Sequence, residues 1–123
     1  MISTALQDLF GGKAAESVFL ALFHQGEAYG RSIARDFAVS LDVLQRQIDR
    51  FVRSGALVCK RQGRTLVYSW NPKSRLASRL RDLTGVAYDS LDPQVKQRIF
   101  TERRQPRAKD KPVLRGKTAE MSL

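Results

Sequence analysis

Apolar positions over the first hundred residues recur mostly at helical spacing and switch once to strand spacing. Leu6, Leu9 and Phe10 predict a short helix ended by Gly11 and Gly12. Ala14, Val18, Leu22 and Phe23 then repeat at helical offsets. Phe19 and Leu20 widen that face, which places this helix at the centre of a core and ends it at Gly26. Tyr29 and Gly30 open a shorter helix through Phe37, with Ile33, Ala34 and Phe37 on one side. After Ala38-Val39-Ser40, the positions Leu41, Leu44, Ile48, Phe51 and Val52 mark an amphipathic helix that stops at Gly55. Ser40 is placed to cap it with its hydroxyl, and Asp42 suits the positive end of the helix dipole.

The period changes next. Segments 56–61 and 65–70 are β-prone and flank Gln62-Gly63-Arg64, which predicts a hairpin with a basic tip. Asn71-Pro72 ends it. Leu76, Leu80, Leu83, Ala87 and Leu91 predict a further helix from about Ser74, and Asp92-Pro93 starts a last helical piece through Phe100. The fold class expected is mostly α with a small β-hairpin wing: a winged helix-turn-helix with a C-terminal helix and a basic tail. Cys59 reads as a small buried hydrophobe in the first wing strand. Tyr68 and Trp70 read as packing residues of the second, and His24 as a partner for carbonyls at a helix end.

The amphipathic helix has a polar face to match its apolar one. At about 100° per residue, Asp42, Val43, Arg46, Asp49, Arg50 and Arg53 lie opposite the stripe, flanked by Gln45 and Gln47. In a helix-turn-helix the second helix enters the major groove. Arginine pairs with guanine O6 and N7, and glutamine with adenine N6 and N7, so Arg46 and Gln45 are candidate base readers. Arg50 and Arg53, further along, suit phosphates, and so do Lys60, Arg61 and Arg64 at the hairpin tip. The plain alternative is a solvated helix whose Asp42–Arg46 and Asp49–Arg53 spacings form surface ion pairs.

Charge weighs against that alternative. The chain carries 22 Lys plus Arg against 12 Asp plus Glu, a net of +10. Residues 31–64 hold +5 of it, threaded through the helix-turn-helix and hairpin, and residues 103–123 hold another +5 with almost no large apolar side chain. The chain therefore divides into a folded domain, 1–102, and a basic tail, 103–123, broken by Pro106 and Pro112. A basic balance of this kind suits a polyanionic partner. One cysteine and one histidine allow neither a disulfide framework nor a structural zinc site within the chain. The longest apolar run, Val18 to Phe23, is too short to span a membrane, and the first residues lack a signal-peptide pattern. No catalytic set, phosphate-binding glycine loop or acidic metal cluster is present, so neither enzyme activity nor a cofactor is expected.

Several stretches resemble winged-helix regulators of the broad ArsR/MarR-like class. They are Gly12-Lys13-Ala14 leading into Val18-Phe19-Leu20-Ala21-Leu22, Tyr29-Gly30-Arg31-Ser32-Ile33-Ala34, Gln45-Arg46-Gln47-Ile48-Asp49-Arg50-Phe51, Ser54-Gly55-Ala56-Leu57-Val58, and Gly63-Arg64-Thr65-Leu66-Val67-Tyr68. The resemblance covers about residues 10–72. It implies that Ser40, Asp42, Val43, Gln45 and Arg46 contact DNA and that Arg61 and Arg64 grip the flanking backbone. The paired cysteines or Asp and His sets of metal-sensing members are absent. The expected function is sequence-specific binding of double-stranded DNA by a cytoplasmic, nucleoid-associated transcription regulator. A repressor is favoured, acting as a homodimer through the first helix and the 74–91 helix and controlling its own gene. The alternatives are a winged-helix adaptor for an acidic protein and a binder of structured RNA.

Overall fold

The computed structural model describes residues 4–101. The elements run α1 (Ala5–Phe10), α2 (Lys13–Gln25), β1 (Glu27–Tyr29), α3 (Gly30–Phe37), α4 (Leu41–Arg53), β2 (Leu57–Gln62), β3 (Thr65–Trp70), α5 (Arg75–Asp89) and α6 (Pro93–Lys96), followed by a π-helical turn, Gln97–Thr101. The predicted tail, 103–123, lies outside the described residues.

Helix α2 is the centre. Every residue from Ala14 to Leu22 is buried, so the helix is enclosed on all sides, as its wide apolar face predicts. It packs against α1, α3, α4 and α5. Phe19 carries much of this packing. Its ring meets Phe10 edge-on at 5.0 Å and stacks on Phe51 at 4.6 Å and on Trp70 at 5.7 Å. One side chain thus joins α1, α4 and β3. Glu16 is the unexpected member of the buried set. Its Oε2 accepts from the Thr4 N–H at 2.6 Å and the Thr4 hydroxyl at 2.7 Å, which ties the start of α1 to α2.

Two expectations are corrected. The sheet has three strands, not two: β1 pairs antiparallel with β3, which also pairs with β2, in the order β1-β3-β2. Tyr29 therefore ends a strand as well as preceding α3. Helix α5 buries Ala77, Thr84 and Ala87, and it leaves Leu76 and Leu83 exposed on the helix that the sequence offers as a dimer surface. Small residues let α5 approach α2 closely: a Cβ at Gly85 would lie 2.9 Å from the Phe23 ring. Second, Leu41 is exposed at the start of α4, so the buried stripe there begins at Leu44.

At the far end, Asp92 Oδ1 accepts from the Gln94 N–H and Pro93 occupies the first turn of α6, as its sequence predicts. The continuation as a π-helical turn is not signalled by the sequence pattern.

Candidate nucleic-acid interface

The turn between α3 and α4 is Ala38-Val39-Ser40. Ala38 takes the left-handed conformation, φ 56° and ψ 48°, and the Val39 N–H reaches back to the Ala34 carbonyl at 2.9 Å. Buried Ile33, Ala34 and Phe37 pin α3, and buried Leu44, Ile48 and Phe51 pin α4. Ser40 holds the N-cap position, and its carbonyl accepts from Leu44 N–H at 2.9 Å. Its hydroxyl makes no capping bond, contrary to the sequence expectation, and the residue is exposed on the surface.

Burial on one side leaves the other side of α4 in solvent. Asp42, Val43, Arg46, Arg50 and Arg53 are all exposed. The ion pairs offered as the plain alternative do not form. Among the described residues the salt bridges are Arg35–Asp36 and Arg79–Asp82, neither of them on α4. Arg50 donates to Gln47 Oε1 at 2.6 Å, and its guanidinium lies 5.7 Å from the Phe51 ring centre. Gln45 is half-buried and engaged: its Nε2 donates to Asp49 Oδ1 at 3.0 Å and to the Tyr68 hydroxyl at 3.1 Å.

Strands β2 and β3 pair through Gln62↔Thr65, leaving Gly63-Arg64 as a two-residue turn with Gly63 at φ 63°. Lys60, Arg61 and Arg64 are exposed there. Only Leu57 of β2 is buried, because beyond it the hairpin projects from the core. Cys59 is exposed for that reason, which corrects its expected burial. Tyr68 is buried and Trp70 half-buried, so both pack as expected. Away from this face, His24 Nδ1 lies 2.9 Å from the Tyr88 hydroxyl on α5.

The structure adds residues that the linear pattern left out. An open cleft of about 640 Å³ runs between the start of α3, the start of α4 and β3. Arg31 and Arg35 of α3 line it together with Leu41, Thr65 and Leu66. Both arginines belong to the +5 block of residues 31–64, and that block charge was the signal available for them. Their position beside α4 and the wing is a product of the tertiary fold.

No family model matches the chain, and no curated protein sequence matches it. Solved structures do. Reduced AbfR bound to DNA aligns with a TM-score of 0.51 and 23% identity, over 79% of this chain and 65% of that one. The adhesin competence repressor AdcR from Streptococcus pyogenes aligns with a TM-score of 0.54 and 12% identity, over 80% and 76%. A MepR-like protein complexed with pseudoligands aligns with a TM-score of 0.52 and 12% identity, over 79% and 74%. The chain thus spans less than two thirds of the AbfR chain. Together with the α3–turn–α4 unit and the β2–β3 hairpin, these likenesses identify the fold as a winged helix-turn-helix.

Proposed function

We propose that this protein binds double-stranded DNA sequence-specifically and regulates transcription, with α4 in the major groove and the β2–β3 wing on the flanking backbone. The carrying observation is the unpaired basic face of α4, where Arg46 and Arg53 stand exposed without a salt bridge among the described residues, next to the exposed wing bases. An i,i+4 pair on an exposed helix is worth only about 0.2–0.5 kcal/mol, so these arginines can turn to bases or phosphates at little cost. Exposed Val43 suits a thymine methyl, and Ser40, Asp42 and Arg46 suit base edges or the phosphates beside them. Arg50, Arg53, Lys60, Arg61 and Arg64 suit phosphates, and the cleft adds Arg31 and Arg35 to that set. AbfR, solved on DNA in reduced and overoxidized forms, and AdcR, a repressor by name, support the same reading. No described helix is long and apolar enough to cross a membrane. We read the protein as a cytoplasmic repressor acting at the nucleoid, on its own promoter among others. In this reading residues 1–102 select the site, and the basic tail 103–123 adds phosphate contacts.

Selection from a pool of random-sequence duplexes tests this, with structured RNA as competitor. The expected result is enrichment of one duplex motif with two-fold symmetry. Enrichment of RNA, or of nothing, would overturn the reading, and the latter would favour the adaptor alternative.

The same reading requires two copies. Leu76, Leu83 and Val86 are exposed on α5, Val86 at 70%, and α5 touches α1, whose Leu9 is 63% exposed. A homodimer through α1 and α5 covers these groups and presents two copies of α4 to successive major grooves. Sedimentation equilibrium is expected to give twice the 13.9 kDa chain mass. Val86→Glu should return the monomer. A wild-type monomer at tens of micromolar would refute the dimer.

A further inference from the structure

Gln45 is the residue whose sequence-based role fits the structure least. A bidentate pair with adenine needs one amide hydrogen and the carbonyl oxygen of the side chain. Both amide hydrogens are already used, one on Asp49 Oδ1 and one on the Tyr68 hydroxyl. The Asp49 carboxylate only accepts, so chemistry dictates that the amide nitrogen, and not the oxygen, faces it. The carbonyl oxygen is directed at the backbone of α3: a Cβ at Gly30 would lie 3.1 Å from it. Tyr68 is buried on β3, the strand that runs from the wing tip into the sheet. The Gln45–Tyr68 bond therefore links the exposed reading helix to the wing.

Resting on the DNA-binding reading above, we infer that Gln45 and Tyr68 are positioning residues. They form a brace that fixes α4 against the wing, and Gln45 does not read a base. Two DNA-contacting elements act together only when their separation and angle match the duplex, and side chains that lock this geometry act through the residues they position. A second bond, from the Tyr29 hydroxyl to Gln62 Oε1 at 3.3 Å, holds β1 to the wing near its tip, and α4 also packs on β2, so the brace at Tyr68 adds a side-chain bond to an existing contact.

The test uses the full chain, the duplex that wild type selects from a random pool, and a salt series. Gln45→Ala and Tyr68→Phe should each weaken that duplex about 3–10-fold, the range of one net hydrogen bond. The double variant should be no weaker than either alone. The motif selected by Gln45→Ala should equal the wild-type motif. Tyr68→Phe should also flatten the log–log salt slope by about 0.9 for each phosphate that the wing no longer neutralises, which plain loss of stability would not do. Loss of preference at one base pair in Gln45→Ala would overturn the inference, as would independent effects that multiply in the double variant. A double-mutant cycle on thermal stability without DNA separates the failures. Additive stabilities with duplex binding intact would defeat the brace alone. A wild type that binds no duplex would defeat the DNA-binding reading and this inference with it.

Discussion

Phe19→Ala is expected to lower the folding free energy by about 3–5 kcal/mol, the usual cost of removing a buried aromatic ring. Phe19 is 1% exposed and touches Phe10, Phe51 and Trp70, so the vacated space opens between α1, α4 and β3 together. Lost ring pairs, worth about 0.5–1.5 kcal/mol each, are part of that cost and place the variant toward its upper end. A domain of this size has a total stability of roughly 5–15 kcal/mol, so the variant stands at the edge of folding. Urea unfolding followed by circular dichroism should show a lower midpoint with little change in slope. The sole tryptophan, Trp70, reports the same transition by fluorescence. A loss below about 1 kcal/mol would mean that the three elements are not joined through this ring.

What the sequence reveals here is what repeats locally. Helix α4 is legible because Leu44, Ile48 and Phe51 recur on one face and leave the charged residues on the other. Helix α2 is legible because its apolar face is too wide for a surface helix. Strand β1 escapes the same reading. Three residues are too few to display an alternation, and the strand exists because β3 offers it a second edge. Periodicity marks α5 by its large leucines, but it does not show that the buried face is made of Ala77, Thr84 and Ala87 or that Gly85 packs against Phe23. The exposure of Cys59 depends on how far the hairpin extends past the core, which its composition does not encode. The candidate interface divides in the same way. Exposed Arg46, Arg53 and Arg64 follow from helix phase and turn chemistry. The bond from Gln45 to Tyr68, 23 residues away, depends on how helix and wing pack and is not visible in the linear pattern.

Arg46→Ala is expected to reduce discrimination between the selected duplex and a scrambled one by about 1–3 kcal/mol, the value of one good base contact. Arg64→Ala should weaken both duplexes about equally, because a phosphate contact carries no sequence information directly. The contrast follows from position. Arg46 stands on the second turn of α4, on the face opposite buried Leu44 and Ile48, with no salt bridge to draw it aside among the described residues. A recognition helix contacts bases mainly through its N-terminal turns. Arg64 follows Gly63 in the two-residue turn at the wing tip, where the strand pairing holds the backbone and the side chain is exposed. Such a group can follow the phosphate chain, whereas a base contact needs a fixed approach. Neutralising one phosphate fewer should flatten the log–log salt slope by about 0.9, so Arg64→Ala is also expected to reduce the salt dependence. Titrations of both variants on both duplexes across a salt series measure affinity and slope together. If Arg46→Ala leaves the ratio of the two affinities unchanged, the exposed face of α4 does not read sequence. If Arg64→Ala alters the ratio instead, the wing reads bases and the division of labour between helix and hairpin is reversed.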